Sequence, residues 1–180
     1  MLRYLNEFVQ MRCAPDLLKA QIFPDAKEIS ESMGMYSAMR DILPHLGWQW
    51  ADPSISIVVV CDGHTPRTAA LFAMRSKWQT YSIDPCLRNR QWNINRLTCY
   101  RCKVEACPLA VTGKTVLIMP HAHVNISDCL NVVPNVNAVI ALPCCFPITW
   151  DKEPYREYVD ENIHSEKNTV KIWIKGLTIL

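Results

Sequence analysis

The chain has 180 residues, 49% of them apolar and 20% charged, and a formal net charge of +2. That balance is typical of a folded globular protein and excludes a disordered one, and the net charge is too small to demand a nucleic-acid partner. No apolar run approaches the ~20 residues that span a bilayer, the N-terminus lacks a signal-peptide core, and nine cysteines with Cys144 and Cys145 adjacent make a poor disulfide framework. A single reduced, intracellular globular unit without a membrane partner is expected.

In chain order, residues 1–50 read as a helical N-terminal extension. Leu2, Leu5, Phe8 and Val9 share one helix face, and Ile29, Met33, Tyr36, Ile42 and Leu43 roughly repeat that spacing. Pro15, Pro24 and Pro44 are expected to divide the region into short helices. Residues 51–180 then alternate strand and helix. The strands are expected at Ser54 to Cys61, Gln79 to Ile83, Leu97 to Val104, Thr115 to Met119, Ala138 to Leu142 and Val170 to Ile174, with helices at Arg67 to Lys77, Ser127 to Val132 and Tyr155 to Ser165. This alternation predicts an α/β, Rossmann-like fold, a mostly parallel sheet flanked by helices. Pro108 to Lys114 is too short for a usual crossover helix, so one helix is expected to be missing.

The loop after the first strand, Asp62-Gly63-His64-Thr65-Pro66, occupies the position where open α/β sheets bind ligands. A cofactor loop needs an acidic group or backbone donors facing the ligand and a small residue where the backbone comes close, and Asp62 and Gly63 meet those needs. His64 and Pro66 stand where such loops carry further glycines, and Thr65 and Pro66 also suit a helix start. About twenty residues on, Asp84 ends the second strand, where an acidic side chain would hold two ribose hydroxyls. The alternative is a turn glycine at Gly63 and a turn cap at Asp84.

Asp62-Gly63 after one strand and Asp84 after the next resemble class I S-adenosylmethionine-dependent methyltransferases more than NAD-binding domains. The stretch Val116 to Pro147 adds to this: it resembles a methyltransferase-like family that carries an Ala-Leu-His-Ala-Cys-Gly segment followed by a Pro-Cys-Cys motif. Pro120-His121-Ala122-His123 stands in place of the first segment, and Pro143-Cys144-Cys145 matches the second. The resemblance spans about residues 54 to 147 and implies S-adenosylmethionine as cofactor. It implies Asp62, Gly63, His64, Asp84 and Pro120 as cofactor contacts, His121 or His123 as a base, and Pro143, Cys144 and Cys145 toward the acceptor. A base is required only where the nucleophile has a proton to lose.

The segment Arg88 to Lys103 clusters arginines with Trp92 and Tyr100, the ingredients for neutralising phosphates and stacking on bases. Arg88, Arg90 and Trp92 are therefore candidate contacts to an RNA acceptor, with a protein acceptor or an ordinary solvated face as alternatives. Cys86, Cys99, Cys102 and Cys107 form C-x12-C-x2-C-x4-C, but lack paired tight knuckles, and a strand would turn Cys99 and Cys102 to different sides. Core thiols are the expected reading, zinc the alternative. Three functions stay open: a methyltransferase, an inactive Rossmann-like binding or assembly module with Trp48 and Trp50 on its surface, and a zinc-dependent nucleic-acid-binding protein. Five glycines in the whole chain favour the second.

Overall fold

The computed structural model describes residues 2–177; Met1 and residues 178–180, the outer ends of the two expected regions, lie outside the described residues. Helices α1 (Arg3–Val9), α2 (Ala14–Lys19) and α3 (Ala26–Leu46) come first. The strands that follow are β1 (Ile55–Val60), β2 (Gln79–Ile83), β3 (Leu97–Tyr100), β4 (Lys114–Pro120), β5 (Val136–Leu142), β6 (Arg156–Val159) and β7 (Thr169–Ile174). Helix α4 (Arg67–Arg75) lies between β1 and β2, and α5 (Ile126–Val132) between β4 and β5.

The strands form one sheet in the order β3-β2-β1-β4-β5-β7-β6. The first five are parallel, β7 runs antiparallel to β5, and β6 antiparallel to β7. This is a Rossmann-like α/β architecture, and its strand order reverses between β1 and β4. All six residues of β1, Ile-Ser-Ile-Val-Val-Val, are buried, as a central strand covered on both faces requires. Strand periodicity sends Ile55, Ile57 and Val59 into one core and Val58 and Val60 into the other.

The N-terminal helices form a layer of this domain. Phe8, Leu17, Met33 and Met39 share a core with Ile57, Val59 and Ile140, so the expected extension is part of the sheet's cover. Helix α3 starts on Asp25, whose carboxylate accepts the Glu28 N–H at 2.9 Å, and ends on Gly47 in the left-handed region (φ +65°). Pro44, expected to break the helix, lies in its last turn, where its missing N–H removes a single bond and Gly47 sets the true end. An ideal Cβ on Gly34 would come within 2.5 Å of the Ile163 side chain, so α3 packs closely against the loop after β6.

Two further expectations change. Residues 155–165 are not helical: Arg156 to Val159 pair with β7, and the Asp160 carboxylate accepts the Asn162 N–H at 3.0 Å in a turn that closes the hairpin. Trp50 is half-buried, stacked on Trp78 (4.6 Å between centroids) and Tyr36 (5.0 Å), and Trp48 packs on the same core, so this pair is not a free surface. Between β3 and β4 only a short 3-10 turn at Val104–Ala106 forms, in line with the missing crossover helix. Among the described residues no helix is long and apolar enough to cross a membrane.

Candidate functional site at the strand-order reversal

The loop after β1 is held by its own side chains. Asp62, expected to face a ligand, is instead fully buried (0% exposed). Its carboxylate accepts the Thr68 N–H at 2.9 Å, the Ala69 N–H at 3.2 Å and the Ser82 hydroxyl at 3.0 Å, satisfying the free donors at the start of α4 and tying them to β2. Burial pushes this carboxyl up, against the pull of Arg67 and those three hydrogen bonds. Gly63 takes a left-handed backbone (φ +87°), and its N–H donates to the Asp84 carboxylate at 2.8 Å. The other Asp84 oxygen accepts the Cys86 N–H at 2.7 Å. His64 is exposed and its Nδ1–H donates to the Cys86 carbonyl at 3.1 Å, while Thr65 donates to the Ile22 carbonyl at 2.5 Å and Pro66 is buried at the head of α4. His64, Thr65 and Pro66 thus neither line nor fill the crevice.

Beyond the carboxyl ends of β1, β2, β4 and β5 lies a cavity of about 810 Å³. Cys61, Asp84, Pro120, His121, His123 and Cys144 reach it from those four strand ends. Cys61 (φ +60°) and His121 (φ +53°), at the ends of the two strands flanking the reversal, both hold left-handed backbones, the conformation that non-glycine residues rarely adopt and that concentrates at functional sites. The opposite wall comes from α3 and α4, through Lys27, Glu28, Glu31 and Arg67, and from the loop between β6 and β7, residues 164–167. Arg67 pairs with Glu28 at 2.5 Å, and its guanidinium lies 3.0 Å from where a Gly63 Cβ would stand.

His121 is turned toward α3. Its Nε2 meets Glu31 Oε1 at 2.8 Å, and the same oxygen receives Lys27 Nζ at 3.0 Å. Glu31 is 2% exposed. Burial pushes its carboxyl up, but the hydrogen bond and charge of His121, with Lys27 behind them, win and hold it down at about 2. Nδ1 of His121 is buried without a hydrogen-bond partner. The histidine expected as a base therefore has one nitrogen committed to a carboxylate and the other shielded.

His123 and the Pro-Cys-Cys segment meet on the adjoining rim. Strands β4 and β5 pair in parallel through Pro120 and Leu142, which brings the residues just beyond each end side by side. Nε2 of His123 lies 3.1 Å from Cys144 Sγ and 3.3 Å from Cys145 Sγ, and the two sulfurs are 3.7 Å apart. Burial raises the Cys144 thiol, but hydrogen bonds from the backbone of Phe146, from His123 and from Cys145 bring it below its ordinary value. Pro143 is half-buried at the end of β5 and does not line the cavity.

The remaining candidates lie elsewhere. Arg88 and Arg90 are exposed but outside the cavity wall, and Trp92 is buried in the core with the Arg90 guanidinium 4.6 Å over its ring, so it offers no free stacking face. The cysteine tetrad does not converge: Cys86 is exposed, Cys99 packs on one face of the sheet, and Cys102 and Cys107 on the other. Among the described residues, the ligand atoms of His123, Cys144 and Cys145 are the metal-competent group. Lys27, Glu28, Glu31 and Cys61 were not anticipated as site residues. The signal for the first three is a run of charge, Lys27-Glu28 and Glu31, ahead of an uncharged stretch from Ser32 to Met39; Cys61 has only its place after the first strand. Comparison with known proteins finds no matching family model and no matching curated protein.

Proposed function

We propose that the cavity is an adenosyl-cofactor site and that the protein is a divergent S-adenosylmethionine-dependent methyltransferase. The observation that carries this reading is the convergence of Asp84 and Pro120 on one cavity at the carboxyl ends of β2 and β4, on the two sides of the strand-order reversal, with the Gly63 N–H after β1 holding Asp84; this is where an open α/β sheet takes its ligand. Asp84 keeps one lone-pair direction on each oxygen beyond its bonds to Gly63 and Cys86, enough for ribose hydroxyls. In-line methyl transfer from a sulfonium needs chiefly proximity and orientation, which a preformed crevice supplies. His121 acts in this scheme by fixing Glu31 in the wall, and His123, the exposed histidine at the rim, is the group able to take a proton from an acceptor.

The acceptor we propose is RNA, approaching across exposed Arg88 and Arg90, whose contribution is charge rather than stacking. Isothermal titration with S-adenosylmethionine and S-adenosylhomocysteine tests the cofactor: saturable heat lost in Asp84→Ala is expected, and no heat at millimolar ligand refutes it. One observation favours a second reading, a catalytically silent binding module: the Arg67–Glu28 pair lies over Gly63, where a cofactor loop is usually bare. Under that reading partner binding survives Asp84→Ala.

A further inference from the structure

We propose that His123 Nε2, Cys144 Sγ and Cys145 Sγ form a zinc site whose fourth position opens on the cavity. Zinc binds thiolate at about 2.3 Å and imidazole at about 2.0–2.1 Å, so tetrahedral geometry sets two sulfurs about 3.8 Å apart and sulfur and nitrogen about 3.5 Å apart. The sulfurs stand at 3.7 Å, and the imidazole at 3.1 and 3.3 Å from them, so an ion needs only a few tenths of an ångström of adjustment. Two sulfurs and one imidazole nitrogen form a soft donor set that suits zinc and disfavours magnesium or calcium.

The fold supports this arrangement independently of the side chains. One ligand follows β4 and two follow β5, a directly paired parallel neighbour, so backbone hydrogen bonding fixes the gap between the loops. His123 and Cys145 are exposed, giving the ion a path from solvent. Among the described residues no fourth histidine, cysteine or carboxylate joins the group, and a site with three protein ligands is of the open, catalytic kind. Because His123 and Cys144 line the cavity, the open position faces its contents. There the ion would hold a water or a lone-pair donor of the acceptor and lower its proton affinity, and this replaces proton uptake by His123, whose Nε2 is then a ligand. A disulfide between Cys144 and Cys145 is the competing state, but it requires sulfurs at about 2.05 Å.

The inference does not rest on the methyl-donor reading, and metal content and nucleoside binding are separate readouts. The test is titration of reduced, metal-stripped full-length protein with Co2+. We expect one equivalent to give the visible absorption of tetrahedral cobalt and a thiolate-to-cobalt charge-transfer band, both abolished by added Zn2+. Both bands disappear in Cys144→Ser with Cys145→Ser, and persist in Cys86→Ser with Cys102→Ser. His123→Ala, a change at an exposed ring that leaves the far-UV circular dichroism unaltered, weakens binding by more than the ~10–100-fold typical of outer-shell changes. A folded wild-type protein without a charge-transfer band, a band that survives loss of both cysteines, or a purified chain two hydrogens lighter and unable to take up metal after reduction would each overturn the site.

Discussion

The crevice has two halves of opposite character. On the β1–β2 side nearly every polar group is used by the protein itself: Asp62 by three donors, Asp84 by Gly63 and Cys86, Thr65 by Ile22. On the β4–β5 side His123, Cys144 and Cys145 bond chiefly to one another at an accessible rim. The first loop is poor in glycine and is shaped by side-chain hydrogen bonds instead of backbone freedom, so its residues serve the fold first. The second half carries groups whose chemistry the fold does not need. Stability and reactivity are therefore separable across one crevice.

Mutations should break the two halves differently. Asp62→Ala leaves two buried N–H groups and a buried hydroxyl unpaired and should cost about 3 kcal/mol, lowering the thermal midpoint by on the order of 5–10 °C in calorimetry. Gly34→Val drives side-chain atoms into Ile163 and should cost about 2 kcal/mol by overpacking, measured as a lower urea midpoint at unchanged slope. Glu31→Gln weakens the pairs to His121 and Lys27 and should cost about 2 kcal/mol at neutral pH. The folded Glu31 carboxyl titrates at about 2, below its ordinary 4.5, so its contribution is full above pH 4.5 and is lost as pH falls toward 2. The gap between wild type and Glu31→Gln should therefore close over that window. Cys145→Ser should change stability of the metal-free protein by less than about 0.5 kcal/mol, since the side chain is exposed. A large loss there would erase the contrast between the halves.

Much of the fold was legible in the sequence because β-branched runs bounded by Gly, Pro and Asp mark buried parallel strands, as at Ile55–Val60 and Lys114–Pro120. Strand β6 was not: Arg-Glu-Tyr-Val has no strong period, and its pairing with β7 is a tertiary choice. Pro44 misled because position within a helix, not the residue alone, decides whether proline breaks it. For the site, the approach of His123 to Cys144 follows once β4 and β5 are neighbours, so that cluster was within reach of the sequence. The Glu31–His121 contact joins positions 90 residues apart through a helix that local patterns cannot orient. Asp62 had the right residue type in the right place, but whether an acid after a strand turns outward or back onto the next helix is set by which donors are nearby.

Hydrogen–deuterium exchange with and without saturating S-adenosylhomocysteine reads whether the crevice at the strand-order reversal takes the adenosyl group. Binding there slows exchange at the amides of residues 61–64, 84–88 and 121–123, the segments that end β1, β2 and β4, and at 164–167, the β6–β7 loop that closes the cavity, with no change in α1. Unchanged exchange throughout, or protection confined to surfaces away from those strand ends, would contradict it.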